Sequence, residues 1–132
     1  MTTVSHDVLV VVPDKALLDL IGDLVVSLGH RPILLSSQKG ALEECSKNKS
    51  IAVMIIDWEI SEWIFPGIIN QINEVSPHMG KLVWSNANYP EIRKMVEDGT
   101  FCCYTVKPVI IEDFEKVLKS CIRKYEDRVK KS

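Results

Sequence analysis

Residues 51–56 are all apolar, and this run constrains the fold of the chain more than any other feature of its sequence. An apolar run without polar alternation is typical of a strand covered on both faces, as strands of parallel sheets are. Asp57 follows it directly. Because open α/β sheets place their functional groups at the carboxyl ends of the strands, Asp57 is the first candidate for a functional residue.

Strand-like and helix-like segments alternate along the chain. The predicted strands comprise residues 8–12, 32–35, 51–57, 81–85 and 101–106. Each is followed by a segment with apolar residues at helical spacing. We expect Asp14 to cap the first helix and Ser36 or Ser37 to cap the second. Five strand–helix units predict one α/β domain with a five-stranded parallel sheet between two layers of helices.

The composition fits a single globular domain over residues 1–132, with a core over about residues 7–124. Hydrophobic residues make up 46% of the chain and the net charge is −2. Neither disorder nor a positive field for nucleic acid or anionic membranes is therefore expected. No apolar stretch reaches the ~18 residues of a membrane span, and the N-terminus shows no secretory signal. These features predict a cytoplasmic protein.

The cysteines give no sequence signal for a metal site. They are Cys45, Cys102, Cys103 and Cys121, and none forms a C-x-x-C pair. Cys102 and Cys103 would point to opposite faces of the fifth predicted strand, which places them poorly for holding one ion. We therefore expect the cysteines to be small buried hydrophobic residues in a reducing compartment.

Motifs of the common nucleotide-binding and hydrolytic sites are missing. The chain contains no G-x-G-x-x-G, no G-x-x-x-x-G-K-[ST], no G-x-S-x-G and no H-E-x-x-H. None of the three histidines is expected at the carboxyl edge of the sheet. A histidine-based catalytic triad is therefore not expected, and we predict that the domain is not an enzyme.

Three polar side chains remain at that edge, each at the end of a different predicted strand: Asp57, Ser85 and Lys107. This set suits phosphoryl transfer to a carboxylate, because a carboxylate can accept the group while positioned cations and donors stabilise its oxygens. Lys107 would bind one oxygen and Ser85 another, with Asn86 as the competing candidate for Ser85. A Mg²⁺ ion would normally bridge the carboxylate and the phosphate.

The order and spacing of these residues resemble the receiver domains of response regulators in two-component signalling. The resemblance runs from about residue 7 to residue 124 and implies a flavodoxin-like fold. It implies that Asp57 is the phosphoacceptor and that Lys107, followed by Pro108 as in that family, and Ser85 bind the phosphoryl group. Tyr104 matches the switch aromatic. The implied partner is a histidine kinase or a phosphotransfer protein.

The chain departs from that family at the acidic pair that follows the first strand and helps to hold Mg²⁺. Val12 and Pro13 occupy those positions, and Asp14 is the next acidic residue. Asp57, Asp14 and Glu59 are the candidate metal ligands, and the predicted Mg²⁺ site is weak or absent. For Asp14, capping of the first helix is the stronger interpretation.

Two functions of different classes stay open. The first is a phosphoacceptor module in a phosphorelay. The alternative is a pseudo-receiver, a protein-interaction module that works independently of phosphorylation. A small-molecule-binding flavodoxin-like protein is a third and less favoured hypothesis, because no Ser/Thr-rich loop follows the first strand.

Two further segments point to protein partners. Trp58, Trp63 and Phe65 predict either an exposed apolar patch or loop aromatics packed back onto the core. The end of the last helix, residues 124–132, extends about two turns past a minimal receiver domain. It predicts a lead into an output domain, a homodimer contact or a solvated helix end.

Overall fold

The computed structural model describes residues 4–37, 40–58, 67–86, 89–107 and 110–131, without the side chains at 67 and 68. Strands and helices alternate throughout this part of the chain. In order, they are β1 (Asp7–Val11), α1 (Lys15–Ser27), β2 (Arg31–Leu35), α2 (Ala41–Lys47), β3 (Ile51–Asp57), α3 (Gly67–Val75), β4 (Gly80–Ser85), α4 (Pro90–Glu97), β5 (Cys103–Val106) and α5 (Ile111–Lys131).

The strands form one parallel sheet in the order β2-β1-β3-β4-β5. This topology confirms the predicted fold class. β3 lies at the centre, and all seven of its residues are buried, as its unbroken apolar run predicts. In the sheet register Asp57 pairs with Trp84 and Ser85 pairs with Val106. The carboxyl ends of β3, β4 and β5 therefore lie side by side.

Helices cover both faces of the sheet, and each face has its own apolar cluster. Residues of β3 alternate between the two, with Val53 and Ile55 on one face and Met54 and Ile56 on the other. The first cluster packs against α1 and α5, and the second against α2, α3 and α4. This alternation is the period-two pattern of a strand, so the site at the carboxyl edge stands on a core that is closed on both sides.

Two predicted boundaries are wrong. β5 begins at Cys103, not at residue 101, because the amide of Phe101 donates to Met95 O at 3.0 Å at the end of α4. α2 begins at Ala41, and its N-cap residue is Gly40, which has no side chain to form a capping bond. Ser36 and Ser37 precede that helix by several residues and do not cap it, since a cap must stand directly before the first turn.

The predicted start of α1 is confirmed. Asp14 has extended backbone angles, and its Oδ1 accepts the amide N–H of Leu17 at 3.1 Å. Gly29 follows the helix with a φ of 88°, a conformation that glycine adopts without a steric cost. Of the helices in the described ranges, none combines the length and apolar character needed to cross a membrane.

Candidate functional site

Main-chain hydrogen bonds place the ends of the three strands at one edge. The amide of Trp58 donates to Trp84 O at 2.8 Å, and the amide of Lys107 donates to Ser85 O at 2.7 Å. These bonds continue the sheet ladder one residue beyond β3 and β5. As a result Asp57 and Lys107, which are 50 residues apart in sequence, lie at neighbouring positions along that edge. The strand order therefore brings Asp57, Ser85 and Lys107 to one edge of the sheet, as predicted.

Asp57 and Lys107 form an ion pair at the centre of the site. Lys107 Nζ lies 3.2 Å from both Oδ1 and Oδ2 of Asp57. The Asp57 side chain is 3% exposed and that of Lys107 is 21% exposed. Nζ also lies 5.0 Å from the centroid of the Trp84 ring, a cation–π distance. The pair is therefore largely removed from water and is held more strongly than a surface pair.

The remaining predicted site residues have separate environments. Ser85 is fully buried at the end of β4, and its carbonyl is the group that accepts the Lys107 amide. Tyr104 is half-buried and packs against the cluster under α2, α3 and α4. Asn86 is exposed, unlike Ser85. Ser85 is thus the hydroxyl residue that lies inside the site, while Tyr104 packs on one face of β5.

The aromatic residue after Asp57 packs onto the core. The ring of Trp58 stands edge-to-face with that of Phe101, with centroids 6.4 Å apart and an interplanar angle of 85°. Trp58 is half-buried against the same cluster as Tyr104. For Trp58 the core-packing alternative therefore holds; Trp63 and Phe65 lie outside the described residues.

Val12, Pro13 and Asp14, the described residues at and next to the acidic-pair positions, do not fit a Mg²⁺ ion beside Asp57. Val11 pairs with Ile56, so Val12 follows at the level of Asp57 on the neighbouring strand, and its fully buried side chain packs into the cluster under α1 and α5. Pro13 and Asp14 are exposed, and the carboxylate of Asp14 caps α1. Mg²⁺ requires oxygen ligands in near-octahedral geometry, and these residues supply none beside Asp57. Glu59 lies outside the described residues.

Sequence patterns missed two features of the described structure. Trp84 supplies an aromatic face to Lys107. The position of Trp84 in β4, next to Asp57, was the sequence signal that could have indicated this contact. The sulfurs of Cys102, Cys103 and Cys121 lie within 4.8 Å of one another, so the predicted separation of Cys102 from Cys103 is wrong. Cys102 lies one residue before β5, and although its amide donates to Lys81 O at 2.8 Å, its thiol does not follow the alternation of a strand.

No protein-family model and no curated protein matches the chain, but solved structures do. A response regulator receiver domain protein from Clostridium thermocellum is 21% identical, with a TM-score of 0.81 over 92% of this chain and 97% of that one. A CheY-like response regulator receiver domain protein from Methanospirillum hungatei JF-1 is 17% identical, with a TM-score of 0.82 over 95% and 99%. An adenylate cyclase structure from Rhodopirellula baltica is 19% identical, with a TM-score of 0.86 over 97% and 95%. The chain therefore has the flavodoxin-like fold of response-regulator receiver domains.

Proposed function

We propose that this chain is a receiver module of signal transduction that acts as a pseudo-receiver, through protein contacts and without a phosphoryl group on Asp57. The receiver fold and the position of Asp57 and Lys107 support the general role. The buried Val12 beside Asp57 carries the specific proposal. Val12 stands at a position of the family's acidic pair, and its side chain packs into the apolar cluster under α1 and α5 and offers no metal-binding oxygen for phosphoryl transfer to Asp57.

Charge balance supports the same conclusion. A phosphoryl group adds close to two negative charges, and in a site removed from water such charge must be compensated. Lys107 is the cation that contacts Asp57 in the described structure, and it already neutralises the carboxylate itself. The described residues beside Asp57 add no anionic ligand set that would hold a divalent ion, and the pair is balanced as it stands. The Asp57–Lys107 pair then serves to stabilise the sheet edge.

An output through protein contact fits the surface next to the pair. Val106, Ile110 and Ile111 are 37%, 57% and 51% exposed, and they flank Lys107 at the junction of β5 and α5. Large apolar side chains grouped on a surface are typical of contact sites. The expected partner is a protein, either an output domain or a second copy of the chain, and the proposed module has no enzymatic activity of its own.

One observation favours a second candidate, the phosphoacceptor. Asp57, Lys107 and the buried Ser85 converge at the carboxyl edge in the arrangement that phosphoryl transfer to a carboxylate requires. In this candidate a histidine kinase or a phosphotransfer protein donates the group to Asp57. The two candidates differ in one measurable property, which is whether the unmodified site takes up a phosphoryl group.

The test compares the natural chain with a variant in which the two missing acids are restored, Val12→Asp with Pro13→Asp. Both proteins are incubated with millimolar Mg²⁺ and either acetyl phosphate or beryllofluoride, and intact mass and tryptophan fluorescence are recorded. We expect no response from the natural chain, which should behave as Asp57→Asn does. The restored variant should gain a Mg²⁺-dependent response.

The control is the restored variant with Asp57→Asn added, which should lose that response, and circular dichroism verifies that each variant is folded. Phosphorylation of the natural chain that disappears in Asp57→Asn would overturn the pseudo-receiver proposal and establish the phosphoacceptor.

A further inference from the structure

A cluster of three thiols lies away from the Asp57 site, between β5 and α5. The sulfur atoms of Cys102, Cys103 and Cys121 are all within 4.8 Å of one another. The closest contact joins Cys103 and Cys121, whose sulfurs are 2.7 Å apart. These residues come from two elements that pack together, since all three belong to the apolar cluster under α1 and α5. The fold itself therefore holds the thiols in contact.

The three cysteines differ in their access to solvent. Cys121 is fully buried, whereas Cys102 and Cys103 are half-buried. Cys102 also lines a cavity of about 190 Å³, together with Lys81 and Arg128. A small uncharged oxidant can therefore reach Cys102 from the surface, while Cys121 is reached only through its neighbours.

The surroundings favour a thiolate at Cys102. Hydrogen bonds from Cys103 and Cys121 hold the pKa of the Cys102 thiol well below its usual value, and the positive charges of Lys124 and Arg128 lower it further. The hydrogen bonds shared with Cys102, together with burial, raise the pKa of both Cys103 and Cys121. Thiolates rather than thiols are the nucleophiles in cysteine chemistry, so Cys102 is the residue that reacts first.

We propose that Cys102, Cys103 and Cys121 form a two-electron redox site, at which a peroxide converts Cys103 and Cys121 into a disulfide that joins β5 to α5. The Cys102 thiolate attacks one oxygen of hydrogen peroxide and the O–O bond breaks. With one proton from solvent, the products are Cys102 sulfenic acid and water. The sulfur of Cys121 then attacks that of Cys102 while its thiol proton passes to the departing hydroxide. The hydroxide leaves as a second water, and a bond forms between Cys102 and Cys121.

Exchange within the cluster completes the reaction. Cys103 attacks the Cys121 sulfur that it already contacts, loses its thiol proton to solvent, and releases Cys102 as a thiolate. Cys102 is the best leaving group of the three because its thiolate is the most stabilised. The net reaction oxidises two thiols to one disulfide and reduces one peroxide to two waters, and Cys102 is regenerated.

The sulfur distances favour this reaction over metal binding. In a tetrahedral zinc site with Zn–S bonds of about 2.3 Å, ligand sulfurs stand about 3.8 Å apart. Cys103 and Cys121 would have to separate to hold such an ion, whereas a disulfide requires them to approach. The bond would fix the start of β5 to α5, and β5 is the strand that leads into Lys107.

The experiment treats the reduced protein with hydrogen peroxide and maps the thiols by differential alkylation. Free thiols are alkylated with iodoacetamide under denaturing conditions, the disulfide is reduced, and the released thiols take N-ethylmaleimide before tandem mass spectrometry. We expect N-ethylmaleimide on Cys103 and Cys121, and iodoacetamide on Cys102 and Cys45. Oxidation should also raise the Tm by on the order of 10 °C, because the bond closes a loop of 18 residues.

Four variants complete the test, with circular dichroism as the check of folding. Cys103→Ser should stop the reaction at the Cys102–Cys121 bond, and Cys121→Ser should form neither bond. Cys45→Ser, outside the cluster, should behave as the natural chain. Cys102→Ser should still form the Cys103–Cys121 disulfide, but about ten-fold more slowly or worse. In the natural chain, a different final linkage, disulfides between molecules, or four free thiols after oxidation would refute the proposal. Stoichiometric Zn²⁺ binding that protects the thiols would assign the cluster to a metal instead.

Discussion

Replacing Lys107 with methionine should destabilise the protein by about 3 kcal/mol, because it leaves the Asp57 carboxylate buried without its cation. The Asp57 side chain is 3% exposed, so water cannot take over the role of the ammonium group. Methionine keeps the apolar stem beside Trp84, and the loss is therefore mainly that of the charge.

The opposite substitution should cost less. Asp57→Asn leaves the Lys107 ammonium in place, but that side chain is 21% exposed and also faces the Trp84 ring. Partial hydration and the cation–π contact should limit the loss to about 1 kcal/mol. In the double variant no buried charge remains, so its stability should be close to that of Asp57→Asn. The coupling energy between the two positions should then be about 3 kcal/mol.

The measurement is urea unfolding of the four proteins of the double-mutant cycle, followed by tryptophan fluorescence and by circular dichroism. Lys116→Met, at an exposed position of α5, is the matched control and should change the unfolding free energy by less than about 0.5 kcal/mol. Additive effects of the two substitutions, or a Lys107→Met variant as stable as the control, would refute the argument that the pair is buried and coupled.

Two other predictions concern positions outside the pair. Asp14→Ala should cost about 1 kcal/mol in urea unfolding through loss of the N-cap of α1, whereas Asp14→Asn, which keeps an acceptor, should cost much less; equal costs would contradict the capping role. Burial lowers the pKa of Lys81 to about 8 from 10.5. Between these pH values the unfolded chain keeps a proton that the native chain releases, so stability should rise by up to about 3 kcal/mol from pH 8 to 10.5. The rise should be missing in Lys81→Met, which should also be the more stable protein at pH 7; an identical pH profile for both proteins would refute this.

The fold was predictable because burial leaves a pattern in the sequence. β3 is buried on both faces and is correspondingly apolar throughout, and the apolar residues of α1 and α5 recur at helical spacing along the faces that meet the sheet. The errors fall where a main-chain hydrogen bond to another element, which the local sequence pattern does not encode, decides the course of the chain. Phe101 is drawn to Met95 O at the end of α4 instead of into β5, and no propensity of Phe101 itself encodes that contact.

The sequence could predict which residues form the site, but it could not predict how their side chains are arranged. The rule that parallel strands share a carboxyl edge was sufficient to bring Asp57 and Lys107 together. It could not place Lys107 Nζ over Trp84, because the path of a long side chain depends on what packs around it. The thiol cluster was missed for the same reason as the start of β5. Once Cys102 is outside the strand, its side chain is free of the alternation on which the prediction relied.

Asp57 and Lys107 by themselves do not distinguish a phosphoacceptor from a pseudo-receiver. A pair this buried is coupled, so a chain without phosphoryl transfer would still lose stability if either residue were replaced alone. Stability is therefore a sufficient reason for both side chains to be present. Val12 is different, because its buried apolar side chain beside Asp57 is compatible with a stabilising ion pair and unfavourable for a divalent cation. The proposed function of this site is therefore tested at Val12 and Pro13, the two positions that the restored-acid variant changes.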